Sequence, residues 1–266
     1  MSLYEKRIVV KVGTSTLTHE NGSPNLKYFN RLARVLVDVH NAGYDVIVVS
    51  SGAIAVGAKK LRMEEKPSEL RLKQAAAAVG QSELMHTYGE YFGDYGTTVG
   101  QILLTGDDMY REAVRENLIN TFDSLLELGC IPIVNENDSV SFEEIESEHK
   151  VFGDNDTLSA HVAVLCRASC LILLSDTEGL YDSDPHINPD AKLIEHISEI
   201  TDDVLSLAGG AGTKLGTGGM VTKLSAAKLA LEEGISMVIT NGEYPERIYD
   251  ILDGHRIGTL FMREEG

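Results

Sequence analysis

The chain has 266 residues, of which 43% are hydrophobic and 24% are charged, and its formal net charge is −18. That length and apolar content are enough to bury a substantial core. The acidic balance argues against sequence-independent binding to nucleic acid or to an anionic membrane surface. No apolar run reaches the roughly 18 residues that a membrane-spanning helix needs, and no signal-peptide pattern opens the chain, so a cytoplasmic protein is expected.

Cysteine and histidine usage gives no sign of a disulfide framework or a metal site. Cys130, Cys166 and Cys170 form no CxxC pair and have apolar neighbours in the sequence, which favours buried thiols. No HExxH motif or Cys/His cluster indicates zinc, and no residue is assigned as a metal ligand.

The first third of the chain alternates short apolar runs with helical stretches. RIVVKVG (7–13) and DVIVVS (45–50) predict buried strands, and the periodicity of 25–43 predicts an amphipathic helix between them that stops at a glycine. Two further helices are predicted at 67–79 and 81–93.

The middle of the chain repeats this alternation. VGQILL (99–104), IPIVN (131–135) and LILLS (171–175) predict strands. Helices are predicted over about 109–128 and over 156–167.

The last third begins with a hairpin-like segment at 176–185 and continues with a helix at 219–233, a strand at 236–240 and a helix at 245–252. Continuous apolar strands joined by helices are typical of a mainly parallel sheet that is covered on both faces. No linker rich in proline or glycine divides the chain. We therefore predict one α/β sandwich with two lobes that meet near residue 170.

Polar or glycine-rich turns follow four of the predicted strands, and a similar turn opens the helix at 156. These turns are KVGTST, SSGAIAVG, NENDSV, LLSDTEG and, at the helix, GDNDTLSA. Because ligands of parallel α/β sheets bind at the carboxyl ends of the strands, the pattern predicts one ligand site at that edge.

Two of these turns suit an anion. Lys11 ends an apolar run, where a lysine is costly unless it is paired or faces a ligand. SSGA, with Ser51 and Gly52, places small residues where backbone N–H groups at a helix start can bind an anion. The alternatives are a lysine that reaches out to water and a tight turn that needs small residues for packing.

NEND (135–138) and GDND (153–156) are dense in carboxylates and amides, which resemble ligands for a metal or an amine. The alternative is that both are turn and helix-capping clusters, with Asn155 or Asp156 capping the helix that follows.

GTGGMVTK (216–223) combines glycines, Thr217, a following helix and Lys223, as phosphate-binding loops do. Its spacing fails the Walker A pattern, because the lysine follows Thr222 and precedes Leu224. The alternative is a flexible glycine loop before an ordinary helix.

Taken together and in this order, KVGTS, SSGAIAVG, NENDSV, GDNDTLSA, LLSDTEGLY and LGTGGMVTK resemble the amino acid kinase family, over residues 7–261. The resemblance implies a three-layer αβα sandwich. Within the family it points to enzymes that phosphorylate the γ-carboxylate of L-glutamate with ATP and Mg²⁺, the first step of proline biosynthesis.

The resemblance also implies roles for individual residues. The catalytic residues would be Lys11, Lys223 and Asp156. The glutamate-binding residues would be Ser51, Gly52, Asp138 and Asn155. The ATP-binding residues would be Lys11, Ser175, Asp176, Thr217, Gly218, Gly219, Met220, Val221, Thr222 and Lys223.

Further expectations follow from the resemblance at the level of the whole molecule. The lobe of about residues 1–170 would bind glutamate and that of about 171–266 would bind ATP, in a homo-oligomer of two or four copies. Many family members continue into an RNA-binding-like (PUA) domain, and this chain stops where that domain would begin. Proline is a candidate allosteric ligand, although 141–152, in the region concerned, is longer than expected.

Two alternatives to the glutamate reaction remain open from the sequence. One is another kinase of the same fold, acting on acetylglutamate, aspartate, carbamate or UMP. The other is a non-catalytic amino-acid sensor, which would have no need for Lys11 and Lys223 together. A Rossmann dehydrogenase is disfavoured because no G-x-G-x-x-G follows the first strand.

Overall fold

The structure, a computed structural model, describes residues 6–140, 154–185, 187–208 and 219–263. These residues form eight strands and nine α-helices. The strands are β1 (Arg7–Val12), β2 (Asp45–Ser50), β3 (Val99–Leu104), β4 (Ile131–Glu136), β5 (Cys170–Ser175), β6 (His196–Ile197), β7 (Ser236–Asn241) and β8 (Thr259–Phe261). The helices are α1 (Thr14–Leu17), α2 (Leu26–Asn41), α3 (Ala53–Lys60), α4 (Leu70–Gly93), α5 (Glu112–Glu127), α6 (Asn155–Leu165), α7 (Asp202–Ala208), α8 (Met220–Glu232) and α9 (Arg247–Leu252).

All eight strands belong to one sheet, in the order β3-β4-β2-β1-β5-β7-β8-β6. Every pairing is parallel except that of β7 with β8. The strand β1 lies between β2 and β5, and Lys11 pairs in register with Val49 on one side and Leu173 on the other. The carboxyl ends of these central strands therefore lie level with one another.

Successive residues of β1 enter different hydrophobic cores. Val9 packs in the core that includes α5, α6 and α8, whereas Val10 packs in the core that includes α2, α3, α4 and α9. Because both faces of the sheet are covered, the central strands are apolar throughout rather than alternating. The predicted three-layer αβα sandwich with a mainly parallel sheet is confirmed.

The prediction of two helices at 67–79 and 81–93 was wrong, because α4 runs unbroken from Leu70 to Gly93. Gly80, which suggested a break, is a contact point: a Cβ there would lie 1.8 Å from the Ala53 carbonyl oxygen of α3. The missing side chain therefore serves helix packing and does not interrupt the helix. Helix α3 itself was not predicted as a separate element.

Smaller differences concern short elements. The segment 176–185 forms no hairpin of its own; within the described residues, Tyr181 makes one isolated antiparallel bridge with Leu193. The elements α7, β6 and β8 were missed because they are too short to show a period.

Two expectations from composition can be compared with the structure. The described part of the chain contains no helix long and apolar enough to cross a membrane. All three cysteines are free thiols; Cys166 is buried, and Cys130 and Cys170 are partly buried.

Candidate active site

Two lysines from different elements converge on one buried carboxylate. Lys11, near the end of β1, places its Nζ 2.6 Å from Asp156 Oδ1, and Lys223 of α8 places its Nζ 3.1 Å from Asp156 Oδ2. Their side chains are 10%, 1% and 5% exposed for Lys11, Asp156 and Lys223. Lys11 reaches this position because it shares the face of β1 with Val9, the face that α6 and α8 cover.

The start of α6 holds Asp156 in place. The N-cap is Asp154, whose Oδ1 accepts hydrogen bonds from the backbone N–H groups of Asp156 (2.9 Å) and Thr157 (3.0 Å). The suggestion that Asn155 or Asp156 caps this helix was therefore wrong. With Asp154 in the capping role, the side chains of both following residues are directed elsewhere.

Asp156 stays ionised despite its burial. Burial alone would raise the pKa of Asp156, but its attraction to Lys11 and Lys223 and the hydrogen bonds from both outweigh burial and lower the pKa. The carboxylate is therefore an acceptor that keeps two ammonium groups in fixed positions.

The start of α8 carries several of the predicted ATP-loop residues. Gly219 is its N-cap with no side-chain cap, Met220 is its first residue, and Val221 is exposed. The Thr222 hydroxyl lies 3.1 Å from Asp156 Oδ2 and 2.7 Å from the Gly219 carbonyl oxygen. Thr222 thus joins the lysine–aspartate cluster, as Lys223 does.

Thr217 and Gly218, the other two predicted loop residues, lie outside the described residues. So does the segment 141–152.

A second polar group surrounds the Asn155 side chain, one residue before Asp156. Its Nδ2 donates to the Ser50 carbonyl oxygen (2.9 Å), Ser51 Oγ (2.9 Å) and Asn135 Oδ1 (3.0 Å). Asn135 Nδ2 in turn donates to Gln81 Oε1 at 2.9 Å. The predicted residues Ser51 and Asn155 are therefore in direct contact and adjoin the lysine–aspartate cluster.

Gly52 begins α3 in the conformation that the SSGA turn requires. Its φ of +96° lies in the left-handed region that favours glycine, and no side chain caps the helix. A Cβ at Gly52 would meet Thr14 and Thr18, so the turn after β2 packs against the turn after β1. Backbone N–H groups at this helix start remain available to an anion.

Asp138 lies in the turn after β4 and is partly buried. Burial raises its pKa to about 6, and among the described residues no charged group offsets that effect. Within the described residues no hydrogen bond joins Asp138 to Asn155 or Ser51.

Ser175 and Asp176 lie at the carboxyl end of β5. The Ser175 hydroxyl, which is buried, donates to Asp176 Oδ1 at 3.0 Å, and Asp176 is exposed. No hydrogen bond connects this pair to the lysine–aspartate cluster among the residues described.

Four residues of the second polar group were not predicted as site residues: Ser50, Gln81, Tyr88 and Asn135. The Tyr88 hydroxyl, fully buried, donates to Ser50 Oγ at 3.0 Å, and burial raises its pKa so that it stays neutral. Ser50 and Asn135 stand inside motifs already singled out. Gln81 could have been noticed as the one amide in the stretch AAAAVGQSELM.

The chain belongs to the amino acid kinase family, whose model matches residues 6–241. It is 56% identical over 261 residues to the glutamate 5-kinase of Clostridium perfringens, with 98% of this chain and 97% of that enzyme covered. It is 54% identical over 260 residues to the glutamate 5-kinase of Listeria monocytogenes serovar 1/2a, with 98% and 94% covered.

Solved structures share the fold at much lower identity. A UMP kinase from Ureaplasma parvum superposes with a TM-score of 0.64 at 20% identity, covering 98% of this chain and all of that one. A carbamate kinase from Giardia lamblia bound to AMP-PNP gives 0.68 at 15% identity, covering 99% and 100%. These likenesses support the αβα architecture.

Proposed function

We propose that this chain transfers the γ-phosphoryl group of ATP to the γ-carboxylate of L-glutamate, giving L-glutamyl 5-phosphate and ADP. The observation that carries the proposal is the convergence of Lys11 and Lys223 on Asp156 beside the Asn155–Ser51 contact. The choice of glutamate as the substrate rests on the glutamate 5-kinases that match almost the whole chain. The product is the activated acid from which proline synthesis proceeds.

The nucleophile needs no general base. A glutamate γ-carboxyl has a pKa of about 4.3, so it is already ionised near neutral pH. A carboxylate oxygen attacks the γ-phosphorus, a new O–P bond forms, and the bond to the bridging oxygen breaks so that ADP leaves with the electron pair. What the protein must supply is alignment and relief of repulsion between anions.

Lys11 and Lys223 provide that relief. A unit-charge pair at 4 Å interacts with about 1 kcal/mol in water and about 4 kcal/mol at an effective dielectric of 20, so ammonium groups in a buried site act strongly on a phosphoryl group. Asp156 serves as an organiser: it stays ionised between the two lysines and holds both before ATP arrives.

The glutamate end of the site would use the second polar group. The α-ammonium suits the oxygens of Asp138 and Asn155, and Ser51 with the Gly52 N–H suits a substrate carboxylate. The contact of Asn155 with Ser51 at 2.9 Å supports placing these groups together.

The nucleotide end would use the start of α8 and the end of β5. Gly219 to Lys223, with Thr217 and Gly218 before them, would close over the phosphates, since the first turn of α8 has no side-chain cap. Ser175 and Asp176 would contact the nucleotide at the end of β5. Mg²⁺ would arrive with ATP as the MgATP substrate, because Mg²⁺ usually binds substrate phosphates and water with one or two carboxylates.

The same proposal includes the larger organisation. Residues to about 170 would form the glutamate lobe and those beyond it the ATP lobe, and both would contribute to one continuous sheet. The proposal also includes a cytoplasmic location, an assembly of two or four copies, and proline as an allosteric ligand.

A hydroxylamine trap tests the reaction. The purified chain is incubated with ATP, Mg²⁺, hydroxylamine and L-glutamate, and the γ-glutamyl hydroxamate formed from the acyl phosphate is measured. We expect hydroxamate and ADP in equal amounts.

N-Acetylglutamate, aspartate, carbamate and UMP serve as competing acceptors in the same assay, with ADP release as the common readout. Equal or faster turnover with any of them would refute the glutamate assignment. Binding of glutamate without ADP release from any acceptor would favour a sensor.

A further inference from the structure

Gln81 is a buried amide on α4, 8% exposed, that follows an alanine-rich apolar stretch and precedes Ser82 and Glu83. Among the described residues, its side chain is bonded to Asn135. Its Oε1 accepts a hydrogen bond from Asn135 Nδ2 at 2.9 Å. Burying an amide side chain costs free energy unless the amide is hydrogen-bonded, so the bond to Asn135 is needed to keep Gln81 in this position.

The bond to Gln81 favours one orientation of the Asn135 amide, with the Ser50 carbonyl oxygen acting from the other end through Asn155. The oxygen and nitrogen ends of an amide have nearly the same shape, so partners decide the orientation. Because Asn135 turns its amino group toward Gln81, its Oδ1 faces α6 and accepts from Asn155 Nδ2 at 3.0 Å. Were Asn135 reversed, two amino groups would face each other across that contact.

The side-chain amino group of Asn155 donates toward the ends of β2 and β4. Two N–H donors meet three acceptors there: Asn135 Oδ1, Ser51 Oγ and the Ser50 carbonyl oxygen. Asn155 Oδ1 is left pointing the other way, with no hydrogen-bond partner in the described part of the chain. It is an acceptor ready for a donor such as an ammonium group.

Resting on the proposed function, we infer that Gln81 is a positioning residue that keeps Asn155 Oδ1 turned toward the α-ammonium of glutamate through Asn135. The inference deepens that function: it assigns part of the enzyme's preference for an α-amino acid to a helix residue that does not touch the substrate. Without the Gln81 acceptor, Asn135 is free to turn its own amino group toward Asn155 and to displace it.

The test compares glutamate with glutarate, which has both carboxylates but no α-amino group. For Gln81→Met we expect the KM for glutamate to rise about tenfold, as loss of one charge-assisted hydrogen bond would cause. The inhibition constant of glutarate should stay within about twofold, because glutarate makes no such bond. Gln81→Glu, which keeps an acceptor for Asn135, should restore the KM toward that of the original chain.

Controls separate this role from a structural one. Thr87→Val removes another buried polar group of α4, whose hydroxyl donates to the Glu83 carbonyl oxygen of the same helix, and should change neither constant. If Gln81→Met does not fold, Gln81→Asn, one methylene too short to reach Asn135, replaces it with the same expectation.

Each outcome has a distinct meaning. An equal weakening of glutamate and glutarate, an unchanged KM, or no rescue by Gln81→Glu would overturn the role of Gln81. Failure of the original chain to form glutamyl hydroxamate would instead overturn the proposed function.

Discussion

At the scale of single residues, the site is organised by Asp156. One carboxylate, 1% exposed, receives Lys11 on one oxygen and Lys223 on the other. The desolvation penalty of a buried ion pair can exceed its Coulombic gain, so stability alone does not explain why three ionised groups are buried together. These three residues lie at the carboxyl edge of the sheet, where the ligands of parallel α/β sheets bind.

Lys223→Met should lower kcat by about 10²–10³-fold, because the proposed role of Lys223 is to meet the transferring phosphoryl group with a positive charge. The KM for glutamate should change little, since Lys223 is bonded to Asp156 rather than placed at the proposed glutamate end. Steady-state kinetics and circular dichroism of the variant check both points. Lys228→Met, exposed on the same helix, is the control and should be neutral; an unchanged kcat for Lys223→Met would refute its role.

The pH dependence of kcat/KM for glutamate should follow the ionisation of Asp138. Its pKa is raised to about 6, so as pH falls through that value the carboxylate gains a proton and loses the charge by which we propose that it attracts the α-ammonium of glutamate. We expect kcat/KM for glutamate to fall about tenfold per pH unit below that pKa, since kcat/KM reports ionisations of the free enzyme. Asp138→Asn should have a lower kcat/KM for glutamate near neutral pH and should lack this fall. If the variant keeps the same pH dependence, the fall belongs to another ionisable group.

At the scale of elements, the contact of α3 with α4 supports the glutamate end of the site. Gly57 of α3 and Gly80 of α4 let the two backbones touch: a Cβ at Gly57 would lie 1.7 Å from the Ala76 carbonyl oxygen. Gly52 is the N-cap of α3, and Gln81 follows Gly80 directly. The close approach therefore fixes the SSGA turn and the Gln81 amide at the same time.

Gly80→Ala should lower the free energy of unfolding by about 1–3 kcal/mol, because the added methyl group must push α3 and α4 apart. Gly89→Ala, on the same helix with open space around it, should instead be stabilising by about 0.5–1 kcal/mol. Thermal unfolding of both variants measures the difference. Equal melting temperatures would show that the two backbones are not in contact in solution.

At the scale of the whole molecule, the mainly parallel sheet brings distant parts of the chain to one edge. β1, β2, β4 and β5 all present their carboxyl ends there, and the helices α6 and α8 begin there. Two helix starts and the two lysines supply local positive charge at this edge in a chain whose net charge is −18.

The sequence by itself determined the fold class and most long elements. Continuous apolar runs indicate a sheet that is covered on both faces. Ligands of such sheets bind at the carboxyl ends of the strands, so the polar turns after the strands predicted a ligand site there. The break wrongly placed at Gly80 shows the limit of such reasoning. Glycine is disfavoured inside helices in general, and only a neighbouring helix at contact distance explains why it is there.

Only the tertiary structure decided which groups meet within that site. Lys11 and Lys223 stand near opposite ends of the chain, and only the resemblance to a kinase family grouped them with Asp156. Asp154 rather than Asn155 or Asp156 caps α6, and Asn135, which bonds to Asn155, bonds in turn to Gln81, a residue in no motif. Hydrogen bonds and ion pairs require distances near 3 Å. Sequence periodicity fixes the face on which a side chain lies, whereas such distances are fixed only when the elements pack.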